Sequence, residues 1–303
     1  MVRFNGIRRH ILTAAMALGL VASPLTTLAQ AQPTGPALWV IRDDDSIIYL
    51  FGTIHFLKPN VQWRSAQIQS ALDASDSLLL EVANPDDQGA VAPLIQQFGL
   101  SPDRPLSSLL APSELQRFVA AATAMGADAK QLDVMRPWLA GVMLSSARLS
   151  RAGYDPASGV DVILRAEALA DGKPIHGLET PEDQVRMLSG FPEAGQIAFL
   201  NNTLRDFDAA PVELDRLAEA WEAGDTSAVA AITLQPMREQ SEQLYQTLIV
   251  ERNRRWAQQI RTLLEGAGTT FVAVGALHLS GEDGVPEILK AGGIDAVRLT
   301  DVR

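Results

Sequence analysis

The fold is decided by the stretch I-Y-L-F-G-T-I-H at residues 48–55 and by its counterpart F-V-A-V-G-A-L-H at residues 271–278. Each is an apolar run typical of a buried strand, followed by a glycine and, three residues later, a histidine. The glycine permits a turn or a close backbone approach that a side chain would block. The histidine then lies just beyond the carboxyl end of the strand, where open α/β sheets bind ligands. The repeat favours a functional rather than a structural role for His55 and His278, two of only four histidines.

Two further predicted strands end in a glutamate. The run L-L-L at residues 78–80 precedes Glu81, and I-H-G-L at residues 175–178 precedes Glu179. If these strands lie parallel to the two histidine-bearing strands, all four side chains meet at one edge of the sheet. Two imidazoles with carboxylates can hold a divalent metal that keeps an open position for water, and one glutamate could instead act as the general base. The alternative is that each glutamate is an ordinary charged residue leaving the sheet.

Arg252 is a fifth candidate because it falls near the apolar stripe of the helical pattern over residues 240–264. A buried guanidinium needs an anionic partner. That partner could be a site carboxylate or a substrate oxyanion, or Arg252 could form a structural salt bridge with Glu81 or Asp161. The neighbouring Asn253 could hydrogen-bond into the same region.

The order of the predicted elements favours an α/β domain whose mixed central sheet is assembled from both ends of the chain. A large helical insertion is expected to cover one side of this sheet, and the region around Trp138 is expected to wall the cleft. The expected domain spans residues 32–303, with the sheet core at about 37–83, 172–180 and 265–303 and the helical insertion at about 84–170 and 181–264.

Capping patterns predict where two of the helices begin. S-G-V-D at residues 158–161 fits a capping box that opens a helix through Ala170. T-P-E-D at residues 180–183 is a second cap, with Pro181 at the first helical position.

Residues 1–31 have the three-part pattern of a secretory signal peptide. A basic start that includes Arg8-Arg9 leads into an apolar stretch at residues 11–21, and the small residues Ala29 and Ala31 lie at the −3 and −1 positions of a cleavage site. We expect cleavage after Ala31, which would give a periplasmic or secreted protein without a stable membrane anchor. A transmembrane anchor is the alternative, and the sequence leaves open whether export uses the Sec or the twin-arginine route.

Composition narrows the classes of function. The 303 residues include 25 Lys+Arg and 36 Asp+Glu, for a net charge of −11, and no cysteine. This acidic balance argues against nucleic-acid binding, because a phosphate footprint needs clustered basic side chains. Without cysteine, the chain has no disulfide, zinc finger, iron–sulfur cluster or thiol nucleophile. A metal would therefore have to be held by histidines and carboxylates. The sequence also lacks the P-loop, G-x-S-x-G, H-E-x-x-H and G-x-G-x-x-G motifs, which argues against the enzyme classes that carry them.

With these motifs the chain resembles the TraB/GumN family, which is related to the Tiki metalloproteases and more distantly to ChaN-like and erythromycin-esterase-like proteins. Apart from residues 1–31, the matching features span nearly the whole sequence. They are F-G-T-I-H at 51–55, L-E at 80–81, G-V-D at 159–161, G-K-P-I-H-G-L-E-T at 172–180, E-R-N at 251–253, F-V-A-V-G-A-L-H-L at 271–279, Gly281 and Gly284. One departure is that the second motif reads G-A-L-H where G-A-G-H is familiar, which leaves the histidine intact.

The resemblance implies an α/β core like that of ChaN-like, erythromycin-esterase-like and Tiki proteins. For the Tiki branch it implies metal-dependent proteolysis by the two G-x-x-H histidines and acidic partners. In this chain those roles fall on His55, His278, Glu81 and Glu179, with Arg252 as a polar site residue.

We therefore expect an exported hydrolase, most simply a peptidase acting on a peptide or protein, with Mn, Co or Zn as its metal. In this hypothesis one glutamate takes a proton from the water, and Arg252 stabilises the oxyanion. In the alternatives the same histidines bind haem or iron, as ChaN-like relatives bind haem, or the protein is a silent peptide-binding regulator.

Overall fold

A computed structural model describes residues 35–85, 87–205, 207 and 212–299. The predicted signal peptide at residues 1–31 therefore lies outside the described part of the chain. Within that part, no helix combines the length and the apolar character needed to cross a membrane.

Six strands form one mixed sheet, and this confirms the expected α/β class. The strands are β1 (Leu38–Arg42), β2 (Ser46–Thr53), β3 (Ser77–Val82), β4 (Ile175–Glu179), β5 (Gly268–Gly275) and β6 (Val297–Arg298). They lie in the order β4-β3-β5-β2-β1-β6. The four strands from β4 to β2 are parallel to one another, whereas β1 is antiparallel to both β2 and β6. The sheet thus joins the two ends of the domain, as the sequence predicts.

Helices fill the long connections between these strands. They are α1 (Ala66–Asp73), α2 (Gln88–Phe98), α3 (Pro112–Ala124), α4 (Ala129–Leu132), α5 (Pro137–Arg151), α6 (Val160–Ala170), α7 (Pro181–Ser189), α8 (Glu193–Arg205), α9 (Val212–Glu222), α10 (Thr226–Gln240), α11 (Glu242–Tyr245), α12 (Glu251–Leu264) and α13 (Val285–Ala291). Short 3₁₀ turns lie at Leu106–Ser108, Pro156–Ser158 and Ala276–Leu279, and a π-helical turn spans Gln246–Val250. The predicted continuous helical pattern over residues 240–264 is therefore divided into α11, the π turn and α12.

The sheet is buried on both faces, which corrects the expectation that helices cover one side. Phe51, Leu80 and Phe271 pack on one face with side chains of α1, α6, α9 and α10. Leu50 and Leu79 pack on the other face with side chains of α12 and α13. Because neighbouring residues of a strand point to opposite faces, burial of both faces requires the continuous apolar runs seen in β2, β3 and β5.

The remaining helices pack largely against one another. Phe118 of α3, Leu144 of α5 and Leu200 of α8 share one core. Trp138 of α5 lies in another core with Val185 of α7, and its indole N–H donates to the Phe98 carbonyl at 2.9 Å. Trp138 itself is thus a buried structural residue, and the residues of α5 that line cavities beside the site are Val142 and Leu149.

The two predicted helix caps have different outcomes. The Thr180 hydroxyl accepts the Asp183 N–H at 3.1 Å, and Asp183 accepts the Thr180 N–H at 2.8 Å, which confirms the cap of α7. Helix α6, in contrast, has Gly159 as its N-cap residue and no side-chain cap, so the predicted capping box at Ser158 is wrong. A Cβ atom on Gly159 would lie only 2.3 Å from the His55 carbonyl oxygen, which explains the glycine.

Candidate functional site

The carboxyl ends of four parallel strands bring the predicted site residues together. Glu81 lies near the end of β3, and Glu179 is the last residue of β4. His55 follows β2 by two residues, and His278 lies in the 3₁₀ turn that follows β5. Because parallel strands end at the same edge of a sheet, the topology places all four side chains in one region.

Arg252 of α12 is the hub of this cluster. Its Nη2 lies 2.7 Å from Glu81 Oε2 and 2.8 Å from Glu179 Oε2, and its Nε lies 2.9 Å from Glu179 Oε1. Its Nη1 contacts His278 Nε2 at 3.0 Å and the Leu248 carbonyl at 3.4 Å. The five N–H bonds of a guanidinium are thus all matched by acceptors of the protein. This arrangement favours a positioning role for Arg252 over the predicted contact with a substrate oxyanion.

His278 is buried and held in one tautomer. Its Nδ1–H donates to Asn253 Oδ1 at 2.6 Å, and the Asn253 amide in turn donates to the Asp283 carbonyl at 2.7 Å. Arg252 can only donate, so the Nε2 atom of His278 must present its lone pair toward the guanidinium. Burial, with smaller contributions from the charges of Arg252 and His55, lowers the pKa of His278 to about 3 against the opposing charge of Glu81. His278 is therefore neutral at pH 7.

His55 pairs with Asp161, a contact that sequence reasoning did not assign. The Nδ1 atom lies 3.0 Å from Asp161 Oδ1, and the side chain is 54% exposed. Burial of the ring by the surrounding cavity walls would lower its pKa, but the hydrogen bond to Asp161 and the charge of Glu81 outweigh this and raise the pKa to about 9. The sequence feature that could have pointed to Asp161 is its place in the G-V-D motif at residues 159–161.

Glu81 connects the two histidines. Its Oε1 accepts the Gly275 N–H at 2.7 Å and lies 3.9 Å from His278 Nε2. Burial opposes its ionisation, but His278 and the Arg252 cation, with smaller contributions from His55 and the Gly275 N–H, lower its pKa to about 2. Glu81 is thus a carboxylate at neutral pH.

Gly275 leaves a small open space between these side chains. A Cβ atom at this position would lie 3.0 Å from Glu81 Oε1, 3.6 Å from His278 Cδ2 and 3.9 Å from His55 Nε2. We call this space the Gly275 cradle. Any other residue would fill it, so glycine keeps room there for a small ligand such as water. In the described residues no three His, Asp or Glu side chains are grouped so as to hold a metal ion by themselves.

Two cavities have His55 and Glu81 in their walls. The first, the leucine-lined cavity, has a volume of about 380 Å³ and is walled by side chains that include Leu149, Leu214 and Leu217. The second, the α6 cavity, has a volume of about 750 Å³ and is walled by side chains of α6 and its neighbours. Both cavities are also lined by Thr53, His55, Phe56 and Glu81. The site therefore lies at the junction of two hollows, where a bound molecule can extend in both directions.

Comparison with known proteins gives relatives over most of the chain. The family model described as "TraB/PrgY/gumN family" matches residues 37–298. The uncharacterized protein YbaP of Escherichia coli (strain K12) is 26% identical over 259 residues, which cover 85% of this chain and 93% of YbaP. An uncharacterized protein of Treponema pallidum (strain Nichols) is 21% identical over 266 residues, 83% of this chain and 79% of that protein. No solved structure matches the chain, so the expected likeness to a Tiki core stays a prediction.

Proposed function

The chain belongs to the TraB/PrgY/gumN family, and from that premise we propose that it is an exported, divalent-metal-dependent hydrolase, most simply a peptidase. One observation carries the proposal. His55, Glu81 and His278 converge on the Gly275 cradle at the junction of two cavities. A site that combines ionised carboxylates, imidazoles and room for water in a concave surface suits hydrolysis of a carbonyl compound.

In this proposal two residues beside the cradle, joined by a third after it rearranges, hold a divalent metal. His55 has its Nδ1 atom held by Asp161, which is the arrangement that orients a metal-binding histidine and leaves Nε2 for the ion once the ion displaces the proton from Nε2. Glu81 supplies a carboxylate oxygen beside the same space. His55 and Glu81 would hold the ion, and His278 could join them by exchanging its contact with Arg252. Bound there, Mn, Co or Zn would polarise a carbonyl group and lower the pKa of a water molecule.

The protein residues have separate tasks in this proposal. Glu81 Oε1 is the carboxylate atom closest to the cradle, so it would hold the ion and orient a water molecule beside it. Asp161 fixes the orientation of the His55 ring through Nδ1. Arg252 holds Glu81, Glu179 and His278 in place, and Glu179 has a supporting role because Arg252 binds both of its oxygens.

The test uses purified protein and a mixed peptide library with mass-spectrometric detection of cleavage. We expect EDTA to abolish cleavage and Mn, Co or Zn to restore it. His55→Ala and His278→Ala are each expected to lower kcat/KM by about 100-fold or more, because losing a metal ligand costs at least as much as losing a residue that holds a ligand in place. His176→Ala, at an exposed position of β4, is the matched control and should retain full activity.

Two results would contradict the proposal. Full activity in protein shown by metal analysis to be metal-free would overturn the metal requirement. Absence of hydrolysis in metal-loaded protein, together with a Soret band after titration with haem, would support the haem-binding alternative instead.

A further inference from the structure

The walls of the leucine-lined cavity are contributed by elements distant in sequence. Leu149 comes from α5, Leu214 from α9, and both side chains are half-buried. Among the described residues, neither belongs to any of the packed hydrophobic cores. Their apolar surface thus faces the hollow rather than the interior. Apolar surface that lines a concave site marks a place where a ligand packs.

The polar atoms of Tyr154 and Trp221 on these walls are already hydrogen-bonded, whereas the buried hydroxyl of Thr53 has no partner among the described residues. The Tyr154 hydroxyl donates to Asp215 Oδ1 at 2.7 Å, and the Trp221 indole N–H donates to the Gly52 carbonyl at 2.8 Å. Both residues therefore offer only their rings to the cavity. A polar group placed against the Tyr154 and Trp221 rings would lose its water without gaining a hydrogen bond, at a cost that an apolar group does not incur.

The charged side chains and histidines that line the cavity belong to the cluster around the Gly275 cradle. His55, Glu81 and Arg252 line it where it meets the Gly275 cradle, and beyond them the named walls are leucine, tyrosine and tryptophan side chains, with Val229 of α10. A ligand is thus oriented with its polar, reacting end at the cradle and its apolar end among the leucines. The volume of about 380 Å³ is at the lower end of the range for small-molecule sites, enough for one large side chain.

We infer that the leucine-lined cavity selects a peptide with a large aliphatic or aromatic side chain next to the carbonyl that reacts. The rest of the peptide leaves through the α6 cavity, which shares His55 and Glu81 with the first hollow. This inference rests on the proposed function for the reaction, whereas the preference for an apolar group rests on the cavity walls alone. It predicts that specificity lies in α5 and α9 rather than in the strand ends.

The experiment compares two blocked hexapeptides that differ at one position, Phe against Ser, in an otherwise alanine sequence. For the unaltered protein loaded with Mn, we expect the Phe peptide to have a kcat/KM about 10- to 100-fold higher, the usual size of discrimination by an apolar pocket. Leu214→Asp should remove this preference, because kcat/KM for the Phe peptide should fall much more than kcat/KM for the Ser peptide. Leu169→Asp, at an exposed leucine of α6, is the matched control and should keep the preference.

A second variant guards against misfolding of Leu214→Asp. A binding measurement distinguishes failure of the cavity assignment from failure of the proposed hydrolysis. Leu149→Trp fills the cavity without adding charge and should also remove the preference, so the test does not depend on whether Leu214→Asp folds. Binding of the Phe peptide is followed by tryptophan fluorescence, for which Trp221 is a reporter inside the cavity. Tighter binding of the Phe peptide without hydrolysis of any peptide supports the cavity assignment and counts against the proposed function.

Three results would overturn the inference. Hydrolysis with equal rates for the Phe and Ser peptides would leave the proposed function intact and remove the selectivity. A preference for Phe that survives in both folded variants would show that other residues select the substrate. Hydrolysis of apolar acyl esters but of no peptide would show that the cavity accepts an acyl chain instead of a peptide side chain.

Discussion

At the scale of single residues, the stability of the site depends on Arg252. It is the cation that faces two buried carboxylates, since the side chains of Glu81 and Glu179 are 12% and 6% exposed. Arg252→Ala leaves both carboxylates without this partner in a region of low dielectric. We expect a loss of about 3–5 kcal/mol in the free energy of unfolding, the usual result of breaking a buried pair from one side. Urea denaturation followed by circular dichroism measures it.

Arg255 provides the matched control on the same helix. Its side chain is 55% exposed, and its Nη2 lies 3.5 Å from Glu179 Oε1. Because exposed ion pairs contribute little, Arg255→Ala should cost about 1 kcal/mol or less. Equal losses for the two variants would show that burial of the pair is not what makes Arg252 important.

At the scale of elements, substitutions at the two predicted helix caps should affect the free energy of unfolding differently. The Thr180 hydroxyl accepts a backbone N–H at the start of α7, whereas Ser158 makes no such bond at the start of α6. Thr180→Ala should therefore lower the free energy of unfolding by about 0.5–2 kcal/mol, the usual value of an N-cap. Ser158→Ala should change it by less than about 0.5 kcal/mol, as is normal for a surface substitution. Thermal denaturation of both variants against the parent protein checks the difference, and a larger loss for Ser158→Ala would contradict the structure of this helix start.

The elements of the sheet were predictable because their pattern is local. A strand buried on both faces needs a continuous apolar run, so β2, β3 and β5 are visible in the sequence itself. The helix start at Gly159 was not predictable in the same way. The pattern at residues 158–161 fits a cap, but the close approach of the His55 carbonyl, which comes from a segment about a hundred residues earlier, decides which residue occupies the N-cap position.

At the scale of the whole molecule, the buried site makes stability depend on pH. His278 takes a proton at about pH 6.5 when unfolded but only at about pH 3 when folded. Glu81 does so at about pH 4.5 when unfolded and at about pH 2 when folded. In both cases the unfolded chain binds more protons, so the free energy of unfolding should fall as the pH drops below about 6.5.

His55 acts in the opposite direction on the alkaline side. Its folded pKa is about 9, above its unfolded value of 6.5, so its contribution is complete below pH 6.5 and is lost as the pH rises through 9. From these three groups we expect maximal stability of the metal-free protein near pH 6.5, measured by urea denaturation from pH 4 to pH 9. His278→Asn should reduce the slope of the free energy of unfolding against pH between pH 6.5 and pH 5, and His176→Asn should not. A slope that is the same in both variants would exclude His278 as its source.

The sequence by itself determined the strands, the glycine and histidine at the ends of β2 and β5, and the glutamates at the ends of β3 and β4. These follow from local patterns of apolar side chains, and parallel pairing of the strands then brings the four side chains to one edge.

Only the tertiary structure decided how those side chains are used. In the folded chain Arg252 contacts both glutamates and His278, and His55 pairs with Asp161. Leucines of α5 and α9 line one cavity. The physical reason is that periodicity shows which face of a helix is apolar but not where that face packs. The packing position depends on contacts between segments far apart in the chain.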